Sequence, residues 1–208
     1  EPPIYDGRKI WISPVNEGAF EKVLQLTEKL GANLDCGSKP GEDSIVVITP
    51  LGLDATSAAL NENLNPSQTI AIDTLFSLSK RRTLMKTPVT KAEIIVSAHG
   101  LFAADGVPAT IIKDSPGFIG QRILAMIVNI GCSIAQHGSA SPNDIDKAVM
   151  LGLGYPFGPL AFGDLLGPTS ILKILENIQD LTGDPRYRPT AWLRRRASLG
   201  ISLLALDN

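Results

Sequence analysis

The chain has 208 residues, 44% of them hydrophobic and 19% charged, which gives apolar surface for a packed core and excludes disorder over most of the length. A formal charge of -2 supplies no overall basic field for nucleic acid or an anionic membrane, and no run reaches the roughly 18 consecutive apolar residues of a membrane span. Two histidines, His99 and His137, and two cysteines, Cys36 and Cys132, without CxxC spacing, argue against a zinc site and for a reduced, cytoplasmic setting. The length exceeds a typical domain of roughly 100–150 residues, so two domains are expected. The opening Glu1-Pro2-Pro3-Ile4-Tyr5 has neither an initiator methionine nor a leader pattern, as in a stretch taken from a longer protein.

The first half alternates β-branched runs with helical stretches, the pattern of crossover units on a mostly parallel sheet. Lys9 to Ser13 reads as a strand. Glu17 to Leu30 reads as a helix with Phe20, Val23, Leu24 and Leu30 near one face, stopped by Gly31. A second strand is expected at Ala32 to Cys36. Ser44 to Thr49 is a continuous apolar strand of the kind buried on both faces, followed by a helix starting near Asp54. Thr69 to Asp73 is the next strand, then a basic loop Lys80-Arg81-Arg82, a helix from Lys91 to Ala104, and a last strand from Ala109 to Lys113.

From Pro116 onward the periodicity is helical throughout, beginning with the long apolar run Ile119 to Ala135. The domain boundary is expected near Asp114, giving residues 1–114 and 115–208. Ser141-Pro142-Asn143-Asp144 sets a cap with proline at the first helical position, and that helix should end near Gly152. Two further helices are expected, from Pro168 to Leu181 with Gly183 beyond it, and from Thr190 to Leu199. The fold class is therefore α/β then all-α, a reduced Rossmann-like parallel sheet followed by a helical domain.

Asp114-Ser115-Pro116-Gly117-Phe118-Ile119, followed by Gln121-Arg122-Ile123-Leu124, resembles the segment that joins the two domains of 3-hydroxyacyl-CoA dehydrogenases. Ser141-Pro142-Asn143-Asp144-Ile145-Asp146, Leu151-Gly152-Leu153-Gly154-Tyr155-Pro156-Phe157-Gly158-Pro159 and Gly183-Asp184-Pro185-Arg186-Tyr187-Arg188-Pro189 follow in the family's order, and Lys86-Thr87-Pro88 resembles the stretch after its catalytic glutamate. The resemblance implies a helical domain like the carboxy-terminal domain of 6-phosphogluconate dehydrogenase. It implies NAD as cofactor, an acyl-CoA substrate oxidised from 3-hydroxy to 3-keto, and a homodimer built through the helical domain. In itself, the Pro116-Gly117-Phe118 step suits a sharp hinge, with Phe118 anchoring the next helix in the core.

The family supplies a histidine base, a glutamate that orients it, an asparagine after the Pro-Gly-Phe step, a serine on an earlier loop and a glycine-rich phosphate turn. By counting, the histidine position falls at Ala71 or Ile72, neither of which exchanges a proton, and the glutamate position near Thr83. Gln121 occupies the asparagine position with a longer side chain. The serine loop reads Thr49-Pro50-Leu51-Gly52, and the turn after the first strand reads Ser13-Pro14-Val15-Asn16-Glu17-Gly18-Ala19 in place of GxGxxG, with Glu17 placed to repel a pyrophosphate. The chain thus reads as a second copy following a complete catalytic unit, with no cofactor of its own and a role in dimerisation and support.

The competing reading is a non-catalytic acyl-CoA-binding module, with Lys80, Arg81 and Arg82 meeting the phosphates of coenzyme A. His99 is expected to be an ordinary helix histidine, His137 to sit on the last carbonyls of the long helix, and Cys132 to be buried and inert. Of Arg194, Arg195 and Arg196, at least one should pair with an acid or across an interface. Tyr155 and Trp192 are expected in a core or an interface.

Overall fold

The computed structural model describes residues 3–207, which form two compact units dividing between Phe118 and Ile119. In the first unit five strands, β1 (Ile10–Ile12), β2 (Ile45–Ile48), β3 (Thr69–Ile72), β4 (Arg82–Lys86) and β5 (Ala109–Ile112), lie side by side in chain order. All neighbours are parallel except β3 and β4, which are antiparallel, so the sheet is mixed. Three helices accompany it, α1 (Glu17–Lys29), α2 (Ala55–Asn61) and α3 (Ala92–Ala103).

Alternation along the strands sorts the core into two layers. Ile10, Ile12, Ile45, Val47, Ile70, Ile72 and Leu84 pack with Val23 and Leu26 of α1 and with Ile94, Leu101 and Phe102 of α3. Trp11, Val46, Ile48, Ala71 and Met85 point the other way, onto Ala55, Ala58 and Ala59 of α2. Burial on both faces is why the strands read as unbroken apolar runs. Phe118 joins this second layer, so the Pro116-Gly117-Phe118 step anchors to the sheet's core, with Gly117 at φ 66 and its amide on the Leu53 carbonyl at 3.2 Å.

Two expectations for this unit are corrected. Ala32 to Cys36 makes only a single bridge, Leu34 to Ile10, and is not a strand. Arg82 does not belong to a solvated basic loop. It opens β4 and is 1% exposed, because its guanidinium is fully engaged inside the fold. Nε donates to the Leu78 carbonyl at 3.0 Å, Nη1 to the Phe102 carbonyl at 2.8 Å and to Asp105 at 2.6 Å, and Nη2 to Asp105 at 2.9 Å. This fork holds the Asp105 carboxyl down at about 2.

The second unit comprises α4 (Ile119–Gln136), α5 (Pro142–Leu153), α6 (Pro159–Leu166), α7 (Pro168–Thr182) and α8 (Ala191–Leu199), and α4 touches each of the other four. Length and composition alone would let α4 cross a membrane. Its inner face, however, carries Gln121 and Asn129 beside Ala125, Val128, Cys132 and Ala135, and lies against the other helices as the core helix of this unit. Helix α6 was not expected from the sequence, which reads a loop there. It starts at Pro159 behind Gly158, and its first amides, on Leu160 and Ala161, donate to the two carboxylate oxygens of Asp146 in α5, each at 2.8 Å.

Two consequences can be measured. A Cβ at Gly158 would lie 2.4 Å from the Cα of Asp146. Gly158→Ala should therefore cost about 3 kcal/mol or more in urea unfolding, since backbone must move. Asp105→Asn should cost about 1–2 kcal/mol at pH 7, since it removes the charge opposite the buried Arg82, the exposed carboxylate being partly screened by solvent and the Leu78 and Phe102 carbonyls remaining. Because the folded carboxyl titrates at about 2 against an ordinary 3.8, its contribution is complete above pH 3.8 and lost as pH falls towards 2. The gap between wild type and variant should narrow over that interval.

Candidate functional site

The turn after β1 is where a nucleotide-binding sheet would cradle phosphate, and here the chain uses it for itself. Asn16 caps α1, its Oδ1 accepting from the Ala19 amide at 3.4 Å, and Glu17 stands in the first turn. The Ser13 hydroxyl donates to the carboxyl of Glu62, the residue that ends α2. Burial pushes that carboxyl above its ordinary value, against the opposing effect of the Ser13 hydrogen bond. A Cβ added at Gly18 would meet nothing within 4 Å, so this glycine serves no close approach of backbone to helix or ligand. A turn whose helix has its third amide capped by Asn16 and two carboxyls beside it does not fit a pyrophosphate.

The second place to look is the antiparallel pair β3–β4. Counting along the sequence sets the proton-exchange position at Ala71 or Ile72, both fully buried in the sheet. The register pairs Ile72 with Leu84, and one step on the Asp73 amide donates to the Thr83 carbonyl at 2.9 Å. The residue across from Thr83 is therefore Asp73, which sequence reasoning missed.

Asp73, Phe76, Ser77, Lys80, Arg81 and Thr83 line a cleft of roughly 380 Å³. The structure thus brings Lys80 and Arg81 together beside a carboxylate, while Arg82 turns inward and cannot meet a ligand phosphate. Gln121 lies in the first turn of α4 and is fully buried.

The remaining polar residues take structural roles. The Nε2 atom of His99 is 3.1 Å from the Ala109 carbonyl, and Nδ1 of His137 donates to the Ser133 carbonyl at 2.6 Å, on the last turn of α4. Burial pushes the Cys132 thiol up to about 12, leaving it inert at neutral pH, while Cys36 is exposed. Arg194 pairs with Glu176. Arg196 lies 3.1 Å over the Trp192 ring and pairs with Asp207 at 3.0 Å. Trp192 is a core aromatic, whereas Tyr155 is half-buried. Among the described residues no group of three His, Cys, Asp or Glu side chains could hold a metal ion.

Residues 117–202 match the family model of the 3-hydroxyacyl-CoA dehydrogenase C-terminal domain. The chain is 50% identical over 88 residues to 3-hydroxyadipyl-CoA dehydrogenase of Escherichia coli K12, covering 42% of this chain and 18% of that protein. It is 33% identical over 111 residues to a probable 3-hydroxybutyryl-CoA dehydrogenase of Bacillus subtilis, covering 53% of this chain and 39% of that protein. The matches therefore span well under half the length of these relatives. Among solved structures, 3-hydroxybutyryl-CoA dehydrogenase from E. coli superposes with a TM-score of 0.66 at 36% identity, over 74% of this chain and 31% of that one. The (S)-3-hydroxybutyryl-CoA dehydrogenase of Ralstonia eutropha shares the fold, with a TM-score of 0.72 at 24% identity over 96% of this chain and 71% of that one.

The Glu62 carboxyl gives a direct check on the turn. Its folded value lies above the ordinary 4.5, so folding is favoured below pH 4.5 and loses that advantage as pH rises through the folded value. Glu62→Gln should therefore stabilise the chain at pH 7 and make no gain below pH 4. Urea melts at the two pH values measure it.

Proposed function

We propose, from the match of residues 117–202 to the model of the 3-hydroxyacyl-CoA dehydrogenase C-terminal domain, that the chain is the carboxy-terminal, second-copy portion of a longer NAD-dependent enzyme of that family. That enzyme oxidises (3S)-3-hydroxyacyl-CoA to 3-ketoacyl-CoA in fatty acid or aromatic acid degradation, in the cytoplasm. Within it this portion serves dimerisation and structural support, and the hydride transfer takes place elsewhere in the longer protein.

The observation that carries this reading is a complete helical unit beside a nucleotide-type sheet whose phosphate turn is capped by Asn16 and flanked by Glu17 and Glu62. The short coverage of the relatives supports a longer protein. Dimerisation is supported by the outer face of α4, where Ile119, Ile123, Ile130 and Ile134 are 50%, 55%, 55% and 37% exposed along one stripe. A helix apolar on both faces has more hydrophobic surface than its own unit covers. Free thiols at Cys36 and Cys132 accord with a reducing compartment.

The second reading, a non-catalytic acyl-CoA-binding module, is favoured by one observation, the convergence of Lys80 and Arg81 on the β3–β4 cleft. It predicts coenzyme A affinity that Lys80→Ala and Arg81→Ala abolish.

The experiment is a paired assay of this chain and the longer protein, following NADH oxidation with acetoacetyl-CoA. Turnover by the longer protein alone is expected, and turnover by this chain alone would overturn the reading. Light scattering should return the mass of a dimer, shifted to monomer in Ile123→Glu and Ile130→Glu. A monomeric wild-type chain would remove the assembly role.

A further inference from the structure

We propose that the second unit carries an anion-binding cleft, between the carboxyl end of α4 and the segment 185–191, which takes a small phosphate or carboxylate group. The inference is argued from this unit alone, and the cleft shares Ile130 with the exposed stripe of α4. The cleft has a volume of roughly 460 Å³ and is lined by Asn129, Ser133, Gln136, His137, Arg186 and Arg188, together with Thr190, Ala191 and apolar neighbours, with no aspartate or glutamate among them.

Two arginines face the cleft in different states. Arg186 is already held by Asp184, its Nη2 2.6 Å from a carboxylate oxygen, so much of its charge is spent. Arg188 is exposed, and no described carboxylate pairs with it. His137 adds a second polar edge. A carbonyl can only accept, so Nδ1, bonded to Ser133, carries a hydrogen and Nε2 is left over. The hydroxyl of Ser133 faces the same space.

The walls are held by two side-chain amides of α4, Asn129, which is buried, and Gln136, which is exposed. Asn129, 7% exposed, donates from Nδ2 to the Arg188 carbonyl at 2.9 Å and accepts from the Thr190 amide at 2.9 Å, fixing the backbone on both sides of Pro189. Gln136 Oε1 accepts from the Trp192 amide at 2.9 Å, and the Thr190 hydroxyl accepts from Leu193. Of the first three amides of α8, only that of Ala191 has no partner among the described residues, and it opens on the cleft. One unpaired guanidinium, a hydroxyl and an amide at the positive end of a helix are donors suited to an oxyanion, while the free Nε2 of His137 is an acceptor at the rim.

The test is calorimetric titration of the intact chain at low ionic strength, with inorganic phosphate and separately with glutarate. Saturable one-site binding of at least one is expected, weakened about tenfold in Arg188→Gln, the loss of one charge-assisted hydrogen bond. It should be unchanged in Arg194→Gln, whose arginine is paired with Glu176. Tighter phosphate would point to a phosphate-bearing ligand and tighter glutarate to a carboxylate, and either supports the cleft. Three results would overturn it: no saturable heat from either anion up to about 20 mM, wild-type affinity in Arg188→Gln, or equal losses in the two variants.

Discussion

The carboxylate of Asp146 accepts from two backbone amides at the start of α6, and much of the helical unit follows from that arrangement. A short helix begins with donors that have no partner in its own backbone, and burying them unsatisfied is costly. Asp146, itself buried, takes both, which requires α5 to approach so closely that position 158 has no room for a side chain. The same economy of space recurs along α4. A Cβ on Gly131 would lie 2.8 Å from Pro159, and one on Gly163 would lie 2.3 Å from Leu203 and 2.7 Å from Val128. Leu203 is in turn fixed by its amide on Asp164, and its carbonyl accepts from the Trp192 indole. Asp146, Gly158 and Pro159, from two of the motifs, and Gly131 and Gly163 outside them let α4, α5, α6 and the residues after α8 pack at close range.

A comparable carboxylate organises the sheet unit. Asp114 accepts from the Ala55 amide at 2.7 Å and from the Thr56 hydroxyl, capping α2 from the end of β5. Its neighbours Gly117 and Phe118 close onto Leu53 and the Trp11 layer. The motif that looked like a linker therefore does folding work inside the first unit. The turn after β1 is tied into the same scaffold through Asn16, Ser13 and Glu62.

Much of this was legible in the sequence because it is periodic or local. The runs at 44–49 and 69–73 are strands since both faces are covered, and Asp54, Ser141 and Thr190 cap helices where their side chains can reach the first turn. Two elements were not legible. β4 begins with a charged residue, and nothing local shows that Arg82 is buried against the Asp105 carboxylate and two carbonyls. α6 is short and depends on a cap from another helix fourteen residues earlier in the chain. Asp73 was hidden for a related reason, since its place across from Thr83 is a property of strand pairing. The order of motifs carries the resemblance to the family, whereas the cleft beside Arg188 depends on amides brought together by the fold.

The central claim is that this chain keeps the architecture of a dehydrogenase half without the means to hold its dinucleotide. Titrating NADH into the purified chain and following nicotinamide fluorescence tests it most directly. The account predicts no saturable binding up to about 1 mM, and a dissociation constant in the micromolar range would contradict it.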